Sequence, residues 1–315
     1  MKLISLLLLL NNRIGSLGSI LMKTFLRING AKIGRNTYVS LSSRIVAKKS
    51  LVIGNDCVIK SHVKIKANDI NIGHNCVISE NTYITGDDNF IMGNKSFVGK
   101  KVRINVSKNV TIGEDVGVGE NTVVWTHGYF PPADEGYPVT YASVSIGDGA
   151  WVSTNIIILP GVKIGKNVII GAGSVVTKDV DDDSLIAGNP ARFLKKATML
   201  KSTKPFIEII EEIFANYSNY VLVEKNKVML KYNLGQKLLY VCDGTNIDSD
   251  SIEFPKGSLI IFKNFKNSNR LKTNDFYWFD LTSREMTSAK QKEINVLVDI
   301  LRSYGIRLVK KYSYA

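Results

Sequence analysis

Between Ile146 and Val180 an aliphatic residue returns at every sixth position: Ile146, Val152, Ile158, Ile164, Ile170 and Val176. The residue after the beat is often glycine, as at Gly147, Gly165 and Gly171. The residue four after it is usually small, as at Ala150, Val162, Val168 and Ser174. A helix needs apolar residues at i, i+3, i+4 and i+7, and a half-buried strand alternates every two. A period of six fits neither. It predicts a chain that lays down a very short strand, turns a corner and repeats, so that stacked coils share one core. The same beat runs upstream from Ile33-Gly34 through Ile53-Gly54, Ile72-Gly73, Met92-Gly93 and Ile112-Gly113. Successive groups are 19 or 20 residues apart there and 18 apart from Ile146 onward. Three strands per coil predict a triangular prism of about seven coils. At roughly 4.8 Å per coil the prism is about 30–35 Å long.

One interval breaks the step. Ile112 to Ile146 is 34 residues, which leaves an insert after Val124 running from Trp125 to Val139. Insertions in repeat arrays become loops, often on the working face. This insert carries Thr126-His127, the acids Asp134 and Glu135, and the aromatics Trp125, Tyr129, Phe130 and Tyr137. The aromatics suit a sugar-stacking site or the packing of the loop itself.

The flanks follow other patterns. Residues 1–28 open with an apolar run, Leu3 to Leu10, too short to span a bilayer. Ile14, Leu17, Ile20, Leu21 and Phe25 continue at helical spacing, with Arg13, Lys23 and Arg27 interspersed. Two readings stay open: a helix that caps the first coil or meets another subunit, and an interfacial helix on a membrane. Without a clear cleavage site the segment is not read as a signal peptide. The six-residue beat stops after Val176, and a turn-rich exit leads to Gly188-Asn189-Pro190-Ala191. Residues 201–315 read as a small α+β domain. It has a helix over 206–214 and strand-like runs at 220–223, 228–232, 238–241, 259–262 and 276–280. An amphipathic helix over 288–304 and a final strand at 306–309 complete it.

Composition narrows the class. The chain has 315 residues and a formal charge of +13, spread along its length. That suits an anionic ligand or a membrane surface, and no nucleic-acid motif accompanies it. Three cysteines without a Cys-x-x-Cys pattern read as reduced thiols in a cytoplasmic protein. Cys57 and Cys76 fall one coil apart at equivalent positions and should stack in the core. His62 and His74 fall at outward corners. Three histidines in such different settings argue against a zinc site, and no metal is expected.

The run Trp151-Val152-Ser153, Ile158-Leu159-Pro160-Gly161-Val162, Ile164-Gly165, Val168 to Asp179 and Gly188-Asn189-Pro190-Ala191 resembles the hexapeptide-repeat O-acetyltransferases. That family includes the maltose and galactoside enzymes and many capsule and lipopolysaccharide O-acetyltransferases. The resemblance covers roughly residues 30–200. It implies a left-handed parallel β-helix, acetyl-CoA as donor, and a homotrimer with sites between subunits.

The family's catalytic histidine stands in a Thr/Gly-His step before a looped-out segment, and Thr126-His127 matches it. The chemistry has its own rationale. A sugar hydroxyl attacks a thioester poorly unless a base removes its proton, and an imidazole titrating near neutrality suits the task. Backbone N–H groups around Ser153 and Thr154 are the expected donors to the developing oxyanion. The resemblance lays the pantetheine arm along Gly171, Ala172, Gly173 and Ser174, with Trp151 beside the loop. Thr177, Lys178, Arg192 and Lys195 are then the candidates for the nucleotide end. The family's acceptor-binding asparagine has Asn105 as its nearest counterpart, with Lys101 or Val102 at the aligned place. Trp125, Tyr129, Asp134 and Glu135 complete the candidate acceptor set. The reading is a cytoplasmic enzyme, peripheral to the membrane if residues 1–26 touch it, that acetylates a hydroxyl of an envelope glycan or its precursor. The alternatives are an N-acyltransferase on an amino sugar nucleotide, and a non-catalytic scaffold for glycan assembly.

Overall fold

Each beat becomes a strand whose inward residue is fully buried, and the strands stack in parallel into three faces. In this computed structural model the described residues are 16–128, 132–201, 204–218, 221–225, 229–234, 237–243, 254, 258–263, 277–281, 285–287, 297, 300–301 and 309–311. The chain divides into two compact units, Met1–Lys201 and Ser202–Ala315.

The first unit is a parallel β-solenoid. Face one carries Ile33, Ile53, Ile72, Met92, Ile112, Ile146 and Ile164 inward. Face two carries Val39, Ile59, Ile78, Val98, Val118, Val152, Ile170 and Ile186. Face three carries Ile45, Ile65, Ile84, Ile104, Val124, Ile158 and Val176. These side chains form one continuous core. Fully burying an aliphatic side chain of this size contributes about 1.5–3 kcal/mol, so every coil adds a comparable increment.

The three corners differ. Those after faces one and two turn through a left-handed residue: Asn36, Asp56, Asn75, Lys95, Asp115 and Asn167 after face one, and His62, Asn81, Lys101, Asn121 and Asn155 after face two. Asn and Asp tolerate that region best. The glycine after the beat is demanded by closeness. A Cβ on Gly54 would sit 2.6 Å from the Gly73 carbonyl oxygen. Inside the same corner Thr37 Oγ1, Cys57 Sγ, Cys76 Sγ and Ser96 Oγ each donate to the glycine carbonyl of the next coil, at 2.7, 3.0, 3.0 and 2.8 Å. Cys57 and Cys76 thus stack as expected and serve as donors. The corner between faces three and one holds the extra residues of the longer coils. In the first two coils it runs through as continuous strand, Arg44–Ile53 and Lys64–Ile72.

Residues 16–28 are helical and cover the N-terminal coil. Ser19 Oγ accepts the Val39 N–H at 2.9 Å, and Leu26 is buried. The far end closes on an antiparallel hairpin, Ser184–Gly188 with Ala191–Lys196. No helix among the described residues is long and apolar enough to cross a membrane. Residues 1–15 lie outside the described residues.

The second unit has a seven-stranded mixed sheet. The strands Val221–Lys225, Met229–Leu234, Lys237–Asp243, Leu259–Lys263 and Tyr277–Asp280 match the expected runs. A further strand, Glu285–Thr287, was not foreseen; of the strand expected at 306–309 only residue 309 is described, and it opens the strand Val309–Lys311. The helix Phe206–Ala215 packs on one sheet face through Ile207, Ile210 and Phe214. Tyr240, Cys242, Ile260, Phe262 and Trp278 form a cluster on the other. Of the helix expected over 288–304, only residues 297, 300 and 301 are described, and they are helical.

Candidate active site

The insert leaves the prism at the corner between faces three and one, one coil above Asn105. Val124 pairs with Ile104 in the parallel ladder, which carries Trp125 and Thr126 over Asn105 and Val106. His127–Gly128 then pairs antiparallel with Thr140–Tyr141, so the loop rises and returns as a narrow hairpin. A short 3-10 turn, Ala133–Glu135, ends on Gly136 in the left-handed region at φ 88°. The Ala142 N–H donates to the Thr126 carbonyl at 3.0 Å and closes the base. Ala142 Cβ would lie 3.3 Å from a Cβ on Gly161, so the glycine of the next coil makes room for the returning strand.

His127 is half-buried at this base. Its Nδ1 lies 2.9 Å from Asn105 Oδ1. The same oxygen accepts the Ser107 N–H at 3.1 Å and the Thr126 hydroxyl at 2.5 Å. A backbone N–H can only donate, so the atom it meets is the amide oxygen. An amide oxygen can only accept, so Nδ1 carries a proton, and in the neutral ring the lone pair is on Nε2. Thr126 is buried, and its Oγ1 also accepts the Lys108 N–H at 3.1 Å. The ring is boxed as well: Trp125 meets it edge-on at 5.4 Å between centroids, and Tyr141 lies stacked at 6.0 Å and 24°. The arrangement is a preoriented imidazole with one fixed tautomer, set between two aromatics that are themselves substantially exposed.

Several expected residues fall elsewhere. Asn105 was placed against the acceptor, yet its oxygen is taken up by the imidazole and the corner. Asp134 and Glu135 stand exposed on the 3-10 turn. Tyr129 lies outside the described residues. Trp151 does not pack beside the loop. It pairs with Gly117 and Ile169 on face two, and the corner between faces three and one lies opposite that face. The Ser153 N–H donates to the Ile170 carbonyl at 3.2 Å, so the ladder consumes the donor assigned to an oxyanion. Ser153, Thr154, Ala172 and Gly173 all sit at the corner between faces two and three. Ala172 and Gly173 are exposed, and a Cβ on Gly173 would meet open space. Ser174 is fully buried instead. Its hydroxyl bridges the Gly171 carbonyl at 2.5 Å and the Gly188 N–H at 3.0 Å and so anchors the exit hairpin. Thr177, Lys178 and Arg192 line a cavity of about 600 Å³ at the end of the prism, together with Asp179, Phe193 and Lys196. Lys195 is exposed on the same hairpin. Within one protomer Ser153, Thr154, Ala172 and Gly173 therefore sit at a different corner from His127, whereas Thr177 and Lys178, between Val176 and Val180, lie at the same corner as His127 two coils further on. Tyr141 escaped the sequence reading because the residue it stacks on lies 14 positions away across the hairpin.

Comparison with known proteins bears on this geometry. Residues 143–178 match the bacterial transferase hexapeptide family (six repeats). The chain is 31% identical over 122 residues to the galactoside O-acetyltransferase of Escherichia coli K12, covering 36% of this chain and 57% of that protein. It is 35% identical over 94 residues to a 2,3,4,5-tetrahydropyridine-2,6-dicarboxylate N-acetyltransferase of Staphylococcus aureus, covering 30% and 36%. Among solved structures it resembles a hexapeptide-repeat acetyltransferase of Vibrio cholerae complexed with acetyl coenzyme A, at 21% identity and a TM-score of 0.33, covering 54% of this chain and 72% of that one. The chain thus spans less than two thirds of the length of these two curated relatives.

Proposed function

We propose that this chain is an acyltransferase that moves an acetyl group from acetyl-CoA to a hydroxyl of a cell-envelope glycan or its precursor, with His127 as general base. The observation that carries this reading is the Asn105–His127 contact: it holds a proton on Nδ1 at a half-buried loop base, so the neutral ring has its lone pair on Nε2. Nε2 takes the proton of the attacking hydroxyl as the new C–O bond forms and returns it to the departing thiolate as the thioester C–S bond breaks, and Asn105 and Thr126 hold the ring in register meanwhile. The intervening imidazolium keeps its Nδ1–H on Asn105, a stronger bond once the ring is charged. Such a base accounts for about 10²–10⁴ in rate. Trp125 and Tyr141 wall the acceptor side with apolar surface that suits a sugar face.

The residues present fit the donor. Exposed Ala172 and Gly173 leave room for a thin pantetheine arm beside Ser153 and Thr154, and Thr177, Lys178, Arg192 and Lys195 offer donors and cations for phosphates. When bound, acetyl-CoA supplies an acyl group activated as a thioester.

A homotrimer reconciles the two corners. The outward positions of face two are Tyr38, Val58, Val77, Phe97, Gly117, Trp151, Ile169 and Leu185, an apolar stripe along the whole prism. A stripe of that length is covered in an assembly. If face two of one protomer packs on face one of the next, a ring of three closes around the corner they share. The donor corner of one protomer then stands beside His127 of its neighbour. This arrangement also gives Trp151 a place in the site that a single protomer denies it.

The test is thiol release from acetyl-CoA against a panel of sugars, oligosaccharides and amino sugars. Hydroxyl-dependent release that disappears in His127→Ala supports the reading. Release confined to amine acceptors makes the enzyme an N-acyltransferase. No binding of acetyl-CoA at millimolar concentration refutes it.

A further inference from the structure

Face three carries a pattern of its own on its outward side. In the first four coils its rungs present Arg44, Lys64, Tyr83 and Arg103, in register on neighbouring parallel strands. All four are exposed. Lys64 Nζ lies 5.2 Å from the Tyr83 ring centroid and the Arg103 guanidinium carbon 5.9 Å from it, so the ring is held between two cations. The rungs repeat at about 4.8 Å. The adjacent outward column continues the same line through Thr85 and Asn105, and Trp125 is the next rung above Asn105. The acid Asp87 at the edge of this surface pairs with Lys48 at 2.8 Å and Lys66 at 3.8 Å. From the coil that carries the loop onward the character changes: the outward residues of face three become Val123, Ile157 and Val175. The positive stretch therefore starts at the N-terminal coil and ends where His127 stands.

We infer that the first four rungs of face three form a track for an acidic glycan chain, which delivers its hydroxyl to His127. A linear polyanion meets a cation or an aromatic at every step, whereas a neutral sugar meets only the aromatics. Cations at fixed spacing along a straight ladder suit an extended chain better than a compact anion. Face three is also the face left open to solvent in the proposed trimer. The inference rests on the reading of His127 as the acceptor-side base, and it names the acceptor as acidic.

Binding is measured on the full chain carrying His127→Ala, which keeps the track and cannot turn over. The probes are fluorescent alginate oligomers, dextran oligomers of equal length, a DNA oligomer and vesicles with anionic lipid. Alginate should bind with an affinity that falls steeply with salt, and dextran at least about tenfold more weakly. The double variant Lys64→Glu/Arg103→Glu should lose about tenfold in alginate affinity and keep its affinity for acetyl-CoA. Arg44→Glu, outside the Tyr83 sandwich, should weaken alginate independently. Equal binding of alginate and dextran, alginate binding that ignores all three substitutions, or tighter binding of DNA or vesicles would each overturn the track. If the wild type binds alginate in this charge-dependent way yet releases no thiol with any acceptor, the transferase reading fails while the track stands.

Discussion

Asn105 Oδ1 gathers three donors, and the Ser107 N–H among them fixes which atom faces His127. Asn105→Ala should therefore lower kcat by on the order of tenfold or more, because the ring loses its enforced tautomer and its register. Affinity for acetyl-CoA, measured by calorimetry, should not change. Asn105→Asp supplies an acceptor at the same place and should recover much of the loss, with the alkaline-going rise of the rate displaced upward because a carboxylate favours the imidazolium. This pairing was only half legible in the sequence. Thr126-His127 stood out as a polar step at the mouth of an insert, but Asn105 is 22 residues upstream, and no local pattern ties the two. The coil stack joins them. Cys57 makes the converse case. Its burial and its coil-to-coil stacking follow from the repeat alone, and its donor role appears only beside Thr37 and Ser96. Cys57→Ser should cost less than about 1 kcal/mol in urea unfolding, since hydroxyls occupy the same rung elsewhere.

At the scale of the coil, the corners decide stability. The close approach at Gly54 leaves no room for a methyl group. Gly54→Ala should destabilise by about 1–3 kcal/mol, the cost of overpacking, read as a lower urea midpoint with an unchanged m-value. Lys95 spends a left-handed backbone at φ 60° where most coils use Asn or Asp. Lys95→Asn should stabilise by about 0.5–1 kcal/mol. Asp148 adds a pH-dependent rung. Its carboxylate accepts the Glu114 N–H at 3.0 Å and sits 3.2 Å from Lys166, and both hold its pKa below the ordinary 3.8. A carboxyl depressed in the folded state contributes fully above the unfolded value and loses that contribution as pH falls through the folded one. Asp148→Asn should therefore flatten the fall of Tm below about pH 4 relative to the wild type. The period of six made these corners legible as turns. Their individual roles were not, because each depends on which backbone atom of the next coil lies opposite.

For the whole molecule, the beat in the sequence was enough to lay out the stacked coils and the inserted loop. The division of the candidate site between two corners was not legible. It follows from which face each strand joins, and a shift of two or three residues moves a side chain around a corner. Trp151 shows this: its neighbours in sequence suggest the loop, and its ladder partners put it on the opposite face. Trp151→Glu should break the proposed assembly and shift sedimentation from trimer toward monomer. An unchanged trimer would place the interface elsewhere. The second unit gave a strand pattern and no chemistry, since its periodicity is that of ordinary mixed sheets. Its Cys242 is fully buried, and burial pushes the thiol up to about 12. It should resist alkylation at pH 8 until the unit unfolds.

The most direct measurement of the central claim is acceptor-dependent thiol release from acetyl-CoA, compared between the wild type and His127→Ala in protein shown to be folded and equally assembled. The proposed mechanism predicts release that falls by at least about a hundredfold in the variant, with acetyl-CoA affinity retained. Turnover within a few-fold of wild type in His127→Ala would contradict it and remove the imidazole from the reaction.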